Sequence, residues 1–157
     1  MRAALLFDIG GIDLSAVLFD QEAIRECNPQ RGAMEMLNGI VHADPEKHEL
    51  IGYKDVRTDE FWVAGHIPGR PLFPGVLMIE CAAQLAAFYA TKYVGWTGFM
   101  GFGGVESCRF RLQVTPPCRL FILGKRLWQR KNVICCHQQG VMDGNIVFDA
   151  TILGARM

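Results

Sequence analysis

The chain of 157 residues has no excess of either charge: Lys plus Arg and Asp plus Glu number 16 each, so the formal net charge is zero. That balance excludes bulk attraction to nucleic acid or to an anionic membrane, and an acidic partner needs a local basic patch. The apolar opening "MRAALLFDIGGIDLSAVLF" is interrupted by Asp8 and Asp13 before it reaches membrane-spanning length, and reads as part of the mature protein with no membrane insertion. The six cysteines (Cys27, Cys81, Cys108, Cys118, Cys135, Cys136) form no CxxC pair and no spacing with histidine that marks a metal site. They read as buried, reduced thiols of a cytoplasmic protein. No repeat, low-complexity tract or Pro/Ser linker divides the chain, so residues 1–157 are expected to form one domain. With 50% hydrophobic residues, that domain can bury a core.

What is present alternates between extended and helical character. "DLSAVLFDQEAIREC" (13–27) has the texture of a helix with Asp13 and Asp20 available as N-caps, and the Asn28-Pro29 step ends it. "MLNGIVHAD" and "HELIGYKDVR" read as two strands joined by a turn at "PEK". "VLMIECAAQLAAFYATK" (76–92) has the length and Ala/Leu content of a helix enclosed on most sides. About four strands follow, the last two joined by Asp143-Gly144, a tight-hairpin signal. The expected architecture is α+β, an antiparallel sheet wrapped around one long central helix, which is the hot-dog fold.

The densest chemistry lies in "AGHIPGRPLFPGVLMIECAAQ" (64–84). Pro68, Pro71 and Pro74 exclude helix and central strand, so the stretch from Gly65 to Gly75 is a stiff loop that presents His66 in a fixed place. Gly75 opens the helix, where free N–H groups and the positive dipole end suit a developing oxyanion. Glu80 follows roughly 7.5 Å further along the axis. Its apolar neighbours Val76, Leu77, Ile79 and Ala83 favour the protonated carboxyl, as a general acid requires. Gln84, at i+4 from Glu80, is placed to orient it or to satisfy a backbone carbonyl.

The stretch "GHIPGRPLFPGVLMIECAAQ" resembles the signature of the (3R)-3-hydroxyacyl-acyl-carrier-protein dehydratases of the FabZ type, relatives of FabA with the hot-dog fold. "FGGVESCRFRLQVTPP" and "MDGNIVFDATIL" resemble later family segments, so the similarity covers residues 29 to 155. The resemblance implies that His66 is the base, that Glu80, fourteen residues on, is the acid, and that the Gly75 N–H polarises the thioester carbonyl. It implies dehydration to a trans-2-enoyl thioester without metal or redox cofactor, the substrate riding on the phosphopantetheine of acyl carrier protein. It further implies homodimers that take His from one chain and the acid from the other, often assembled into hexamers as trimers of dimers. Glu rather than Asp at position 80 resembles the FabZ branch more than the isomerising FabA branch. Ile67, Gln113, Pro117 and Cys118 depart from the family pattern beside the loop and in the turn after the central helix.

Two other functions fit the same scaffold: a hot-dog thioesterase, and a non-catalytic subunit that binds acyl carrier protein. Arg109 and Arg111 share one face of a strand. With Lys125, Arg126, Arg130 and Lys131 they are candidates to receive an acidic carrier protein and its phosphate, and Arg70 inside the loop is the best single candidate. The alternative for each is an ordinary solvated surface. His42, His48 and His137 read as structural.

Overall fold

The computed structural model describes residues 3–157, so Met1 and Arg2 of the opening stretch lie outside the described residues. In chain order the elements are β1 (Phe19–Asp20), α1 (Gln21–Cys27), β2 (Gly39–Asp44), β3 (Glu49–Val56), α2 (Gly75–Tyr89), β4 (Met100–Phe110), β5 (Cys118–Arg130), β6 (Val133–Met142) and β7 (Asn145–Arg156). A 3-10 turn at Gly32–Met34 precedes β2, and π-helical residues Ala90–Val94 extend α2. The strands form one sheet in the order β1-β2-β3-β5-β6-β7-β4, every neighbouring pair antiparallel. This is the expected α+β hot-dog arrangement.

Local chemistry explains the turns. Asp44 and Glu49 close the β2–β3 hairpin, and Met142 and Asn145 close β6–β7. Asp143 (φ 50°) and Gly144 (φ 74°) are both left-handed there, as a tight two-residue hairpin requires. Asn28, before Pro29, is extended (φ −110°, ψ 136°) and ends α1.

α1 is shorter than its sequence texture. The helix spans Gln21–Cys27, and the expected helical stretch 13–20 is not helical. Asp20 is the N-cap, accepting from Ala23 N at 3.0 Å, whereas Asp13 accepts from Ser15 N (2.9 Å) and Ser15 Oγ (2.6 Å) in a turn. The physical reason is tertiary. Leu5, Leu6, Phe7, Ile9, Ile12 and Leu14 lie on the outer face of the sheet against Val41, Ile51, Tyr53, Leu123 and Val141. Gln139 pins this strap, accepting from Leu6 N (2.7 Å) and donating to Ala4 O (3.2 Å). Leu14 is thereby committed to the sheet, and Leu18 N donates to Ile40 O (2.8 Å) while Phe19 and Asp20 pair with Ile40 and Gly39 of β2, so the end of the expected helix is taken up as an edge strand.

The inner face of the sheet packs on α2. Leu85 reaches so close to β3 and β5 that a Cβ at Gly52 or Gly124 would lie 3.1 or 3.0 Å from its methyls. Met78, Cys81, Ala82, Leu85, Phe88 and Tyr89 are buried. The opposite stripe is open, contrary to an enclosure on most sides: Val76 is 73% exposed, and Ile79, Glu80, Ala83 and Ala87 are half-buried.

Two measurable consequences follow from this packing. A Cβ at Gly140 would stand 2.4 Å from the ring of Phe148, which is fully buried and has no room to yield. Gly140→Ala is expected to cost about 1–3 kcal/mol in urea unfolding. Burial pushes the thiols of Cys81 and Cys136 up to about 12. At pH 8 their thiolate fraction is then about 10⁻⁴. Mass spectrometry after brief iodoacetamide treatment of the native protein is expected to find both unmodified, with labelling only after denaturation.

Candidate active site

The loop between β3 and α2 is tied at several rungs. His66 N donates to Trp62 O (2.8 Å), Leu72 N donates to His66 O (2.9 Å), and Ile67 and Arg70 exchange backbone hydrogen bonds of 3.1 and 2.8 Å. Gly69 (φ 74°) makes the turn between them, in the left-handed region that glycine occupies without strain. Phe73 N donates to Val114 O (2.8 Å), joining the loop's end to the segment after β4. The proline-stiffened loop is therefore ordered although residues 64–70 are exposed.

His66 is held through its ring as well. Nδ1 lies 2.7 Å from Leu72 O. A carbonyl only accepts, so Nδ1 carries the hydrogen and Nε2 retains the lone pair that can take a proton.

Glu80 stands on the open stripe of α2. Its Oε1 accepts from Gln84 Nε2 at 2.8 Å. Gln84 is buried and committed on all sides: Nε2 also donates to Met34 O (2.7 Å), Oε1 accepts from Met36 N (3.0 Å), and its backbone carbonyl accepts from Asn28 Nδ2 (2.9 Å). Both readings of Gln84, as a partner of Glu80 and as a satisfier of backbone groups, describe its contacts.

Beside Glu80 opens a cavity of about 170 Å³. Ala83, Ala87, Met100, Phe102 and Leu153 supply apolar walls, and Gln30 is the only other polar side chain lining it. His66 is not among the lining residues. One chain thus presents a proton-accepting imidazole on the loop and a carboxyl group at an apolar cavity on the helix, a cavity that the imidazole does not line.

Gly75 begins α2 after Pro74, whose carbonyl accepts from Leu77 N (2.9 Å) and Met78 N (3.2 Å). The N–H of Gly75 precedes the helical ladder. The Phe110 ring lies so near that a Cβ at Gly75 would be 2.8 Å from it.

The seven basic candidates do not converge within one chain. Arg70 Nη2 donates to Gln113 Oε1 (2.9 Å), one of the positions that departs from the family pattern. Arg111 pairs with Asp149 (2.6 Å), Lys125 with Glu49 (2.9 Å), and Arg126 Nη2 lies 2.8 Å from His48 Nε2. Arg109 stands opposite Asp149 on β7, whereas Arg130 and Lys131 flank the turn beside Val133, which faces Ala155. Ala155 is six residues along β7 from Asp149, or about 20 Å. His48 also touches Tyr89 Oη (2.9 Å), His137 touches Thr151 Oγ1 (3.0 Å), and His42 lies beside the Phe7 ring, each a structural placement.

Sequence reasoning passed over Lys54 and Glu60. Lys54 is the only buried Lys or Arg among the described residues and bonds Glu60 at 2.5 Å. The signal was available in the alternation of β3, where Lys54 shares the inward face with Leu50 and Val56. Among the described residues no group of three or more His, Cys, Asp or Glu side chains is placed to hold a metal ion, and no helix is long and apolar enough to cross a membrane.

A family model described as a FabA-like domain matches residues 28–151. The 3-hydroxyacyl-[acyl-carrier-protein] dehydratase FabZ of Desulfotalea psychrophila is 31% identical over 149 residues, covering 93% of this chain and 94% of that protein. The FabZ of Paramagnetospirillum magneticum is 35% identical over 144 residues, covering 90% and 88%. Among solved structures, the dehydratase heterocomplex ApeI:P from Xenorhabdus doucetiae superimposes with a TM-score of 0.71 at 14% identity, covering 85% of this chain and 90% of that one. The virulence protein Cj0977 from Campylobacter jejuni gives 0.68 at 15% identity, covering 93% and 96%. At such identities these two likenesses concern the fold alone. The family match and the identity across nearly the whole chain carry the assignment: the chain belongs to the FabA-like family and is a FabZ-type member of it.

Proposed function

We propose that this FabZ-type dehydratase converts (3R)-3-hydroxyacyl groups on acyl carrier protein to trans-2-enoyl thioesters, with His66 as base and Glu80 as acid. His66 Nε2 takes the C2 proton. The electron pair of that bond becomes the C2=C3 double bond as the C3–O bond breaks, and the departing hydroxyl takes the proton of Glu80, directly or through water, and leaves as water. The Gly75 N–H polarises the thioester carbonyl and stabilises the charge that develops on it. Gln84 orients Glu80. No metal or redox cofactor enters these steps.

The observation that carries this reading is the complementary state of the two groups. The imidazole keeps a free Nε2 because Nδ1 is bound to Leu72 O, and the carboxyl group faces an apolar cavity fit for an acyl chain. Their separation within one chain supports a homodimer in which each site takes His66 from one copy and Glu80 from the other. β4, an eleven-residue edge strand, exposes Phe102, Val105 and Phe110, and α2 leaves Val76 uncovered. A long apolar edge calls for a cover, and a second copy supplies one. Assembly of such dimers into a trimer of dimers adds nothing that this chemistry requires.

The chain acts here as one domain, in the cytoplasm, where acyl carrier protein is the partner. Arg70, Arg109 and Arg111 flank the end of the sheet where the loop is anchored and are the favoured contacts for the carrier and its phosphate. Lys125, Arg126, Arg130 and Lys131 are peripheral to that contact.

The test is enoyl-thioester absorbance on adding the protein to 3-hydroxyacyl carrier-protein substrates of several chain lengths. Enoyl product supports the reading. Free thiol without enoyl product would establish the thioesterase instead, and carrier binding without turnover at any length would establish the non-catalytic subunit.

A further inference from the structure

Lys54 and Glu60 have side chains only 4% and 11% exposed. A buried ion pair is a weak source of stability, since an apolar pair of similar volume often does as well, and its best-attested use is to specify one arrangement over its competitors. What surrounds this pair says which arrangement is at stake.

Glu60 opens the loop that carries His66. One of its oxygens holds Lys54 at 2.5 Å, the other accepts from Arg57 N (2.8 Å), and its backbone carbonyl accepts from Val63 N (3.1 Å). The Lys54 ammonium lies 5.6 Å from the centroid of Phe73, the residue that closes the loop. Phe73 in turn packs on Trp62 with ring centroids 5.3 Å apart, and Trp62 O receives the His66 N–H. Both ends of the loop therefore meet at Lys54. The pair also reaches α2 through these rings: Trp62 and Phe73 belong to the same buried cluster as Met78, Cys81 and Ala82 of α2, and Cys81 is next in sequence to Glu80.

We propose that the Lys54–Glu60 ion pair is a positioning device for the reaction, fixing the root of the His66 loop against α2 so that His66 and Glu80 are presented in one spacing. The inference rests on the dehydratase reading above. Because the two groups of one chain serve different sites of the dimer, an error in their spacing misaligns both sites at once. Lys54 touches no reacting atom and acts through Phe73, Trp62 and Glu60. An apolar pair at this place fills the volume but lacks the single bonded geometry, so the loop root gains alternatives of similar energy.

The experiment replaces both charges together, Lys54→Met with Glu60→Met, so that neither charge is left buried alone. The full-length protein is assayed for thermal stability, for kcat and KM in dehydration, and by ¹⁵N NMR of the His66 ring. The expected result is a folded protein with a Tm near or above that of the parent and a kcat lower by about 10–100-fold. KM should stay within about threefold of the parental value. The ring signals should change from a single Nδ1–H tautomer to a mixture of tautomers. A folded double variant with parental kcat and a single tautomer would overturn the proposal.

If the double variant does not fold, Lys54→Arg decides. It keeps the charge, but its planar guanidinium cannot reproduce the ammonium contact. A lower kcat at parental Tm supports the positioning role, and parental kcat refutes it. Should the parent itself form no enoyl thioester, the dehydratase reading fails, and the His66 tautomer in parent and variants alone decides whether Lys54 orders the loop.

Discussion

Glu80→Gln is expected to lower kcat by about 10²–10⁴-fold while leaving the Tm close to that of the parent. The new carboxamide oxygen can still accept from Gln84 Nε2, so the network through Met34 and Met36 that ties α2 to the segment before β2 persists. On the proposed mechanism, what disappears is the proton for the departing hydroxyl. His66→Ala should cause a loss of the same order by removing the base, although it also removes the ring contact with Leu72 O. Enoyl-thioester absorbance and thermal melts on the two variants check both statements. A rate within about tenfold of the parent in Glu80→Gln would take Glu80 out of the reaction.

Mixing the two inactive variants should restore activity. If each site takes His66 from one chain and Glu80 from the other, as proposed, a heterodimer of His66→Ala and Glu80→Gln chains has one site that collects both substitutions and one that collects neither. Random assortment after co-refolding should therefore return about one quarter of the parental activity. No recovery, with heterodimers demonstrated by mass spectrometry, would show that each chain completes its own site. The structure favours recovery because the cavity beside Glu80 is lined without His66.

Different parts of this molecule were legible to different degrees. The β2–β3 and β6–β7 hairpins and α2 could be read locally because turn chemistry and residue composition act over a few positions. The first helix was overextended because Leu14 packs on the outer face of the sheet and Leu18–Asp20 join β2 as an edge strand, and no local pattern announces such a use. Gln84 was legible as a neighbour of Glu80 through helical spacing. Its bonds to Met34 and Met36 join positions about 50 apart in the chain and exist only after folding. Arg109 and Arg130 looked like members of one basic set until strand register placed them near opposite ends of the sheet.

The sequence by itself determined the stiffness of the Pro/Gly loop, the fourteen-residue spacing of His66 and Glu80, and the family signature that contains them. These depend on φ restriction, helix rise and residue identity, which are local properties. Only the tertiary structure decided that Nδ1 of His66 is occupied by Leu72 O, that the cavity beside Glu80 is lined without His66, and that Lys54 and Glu60 form a buried ion pair beside Phe73. Each of these depends on which distant segments meet, and burial, tautomer and ion pairing acquire their values only when those segments displace water from one another.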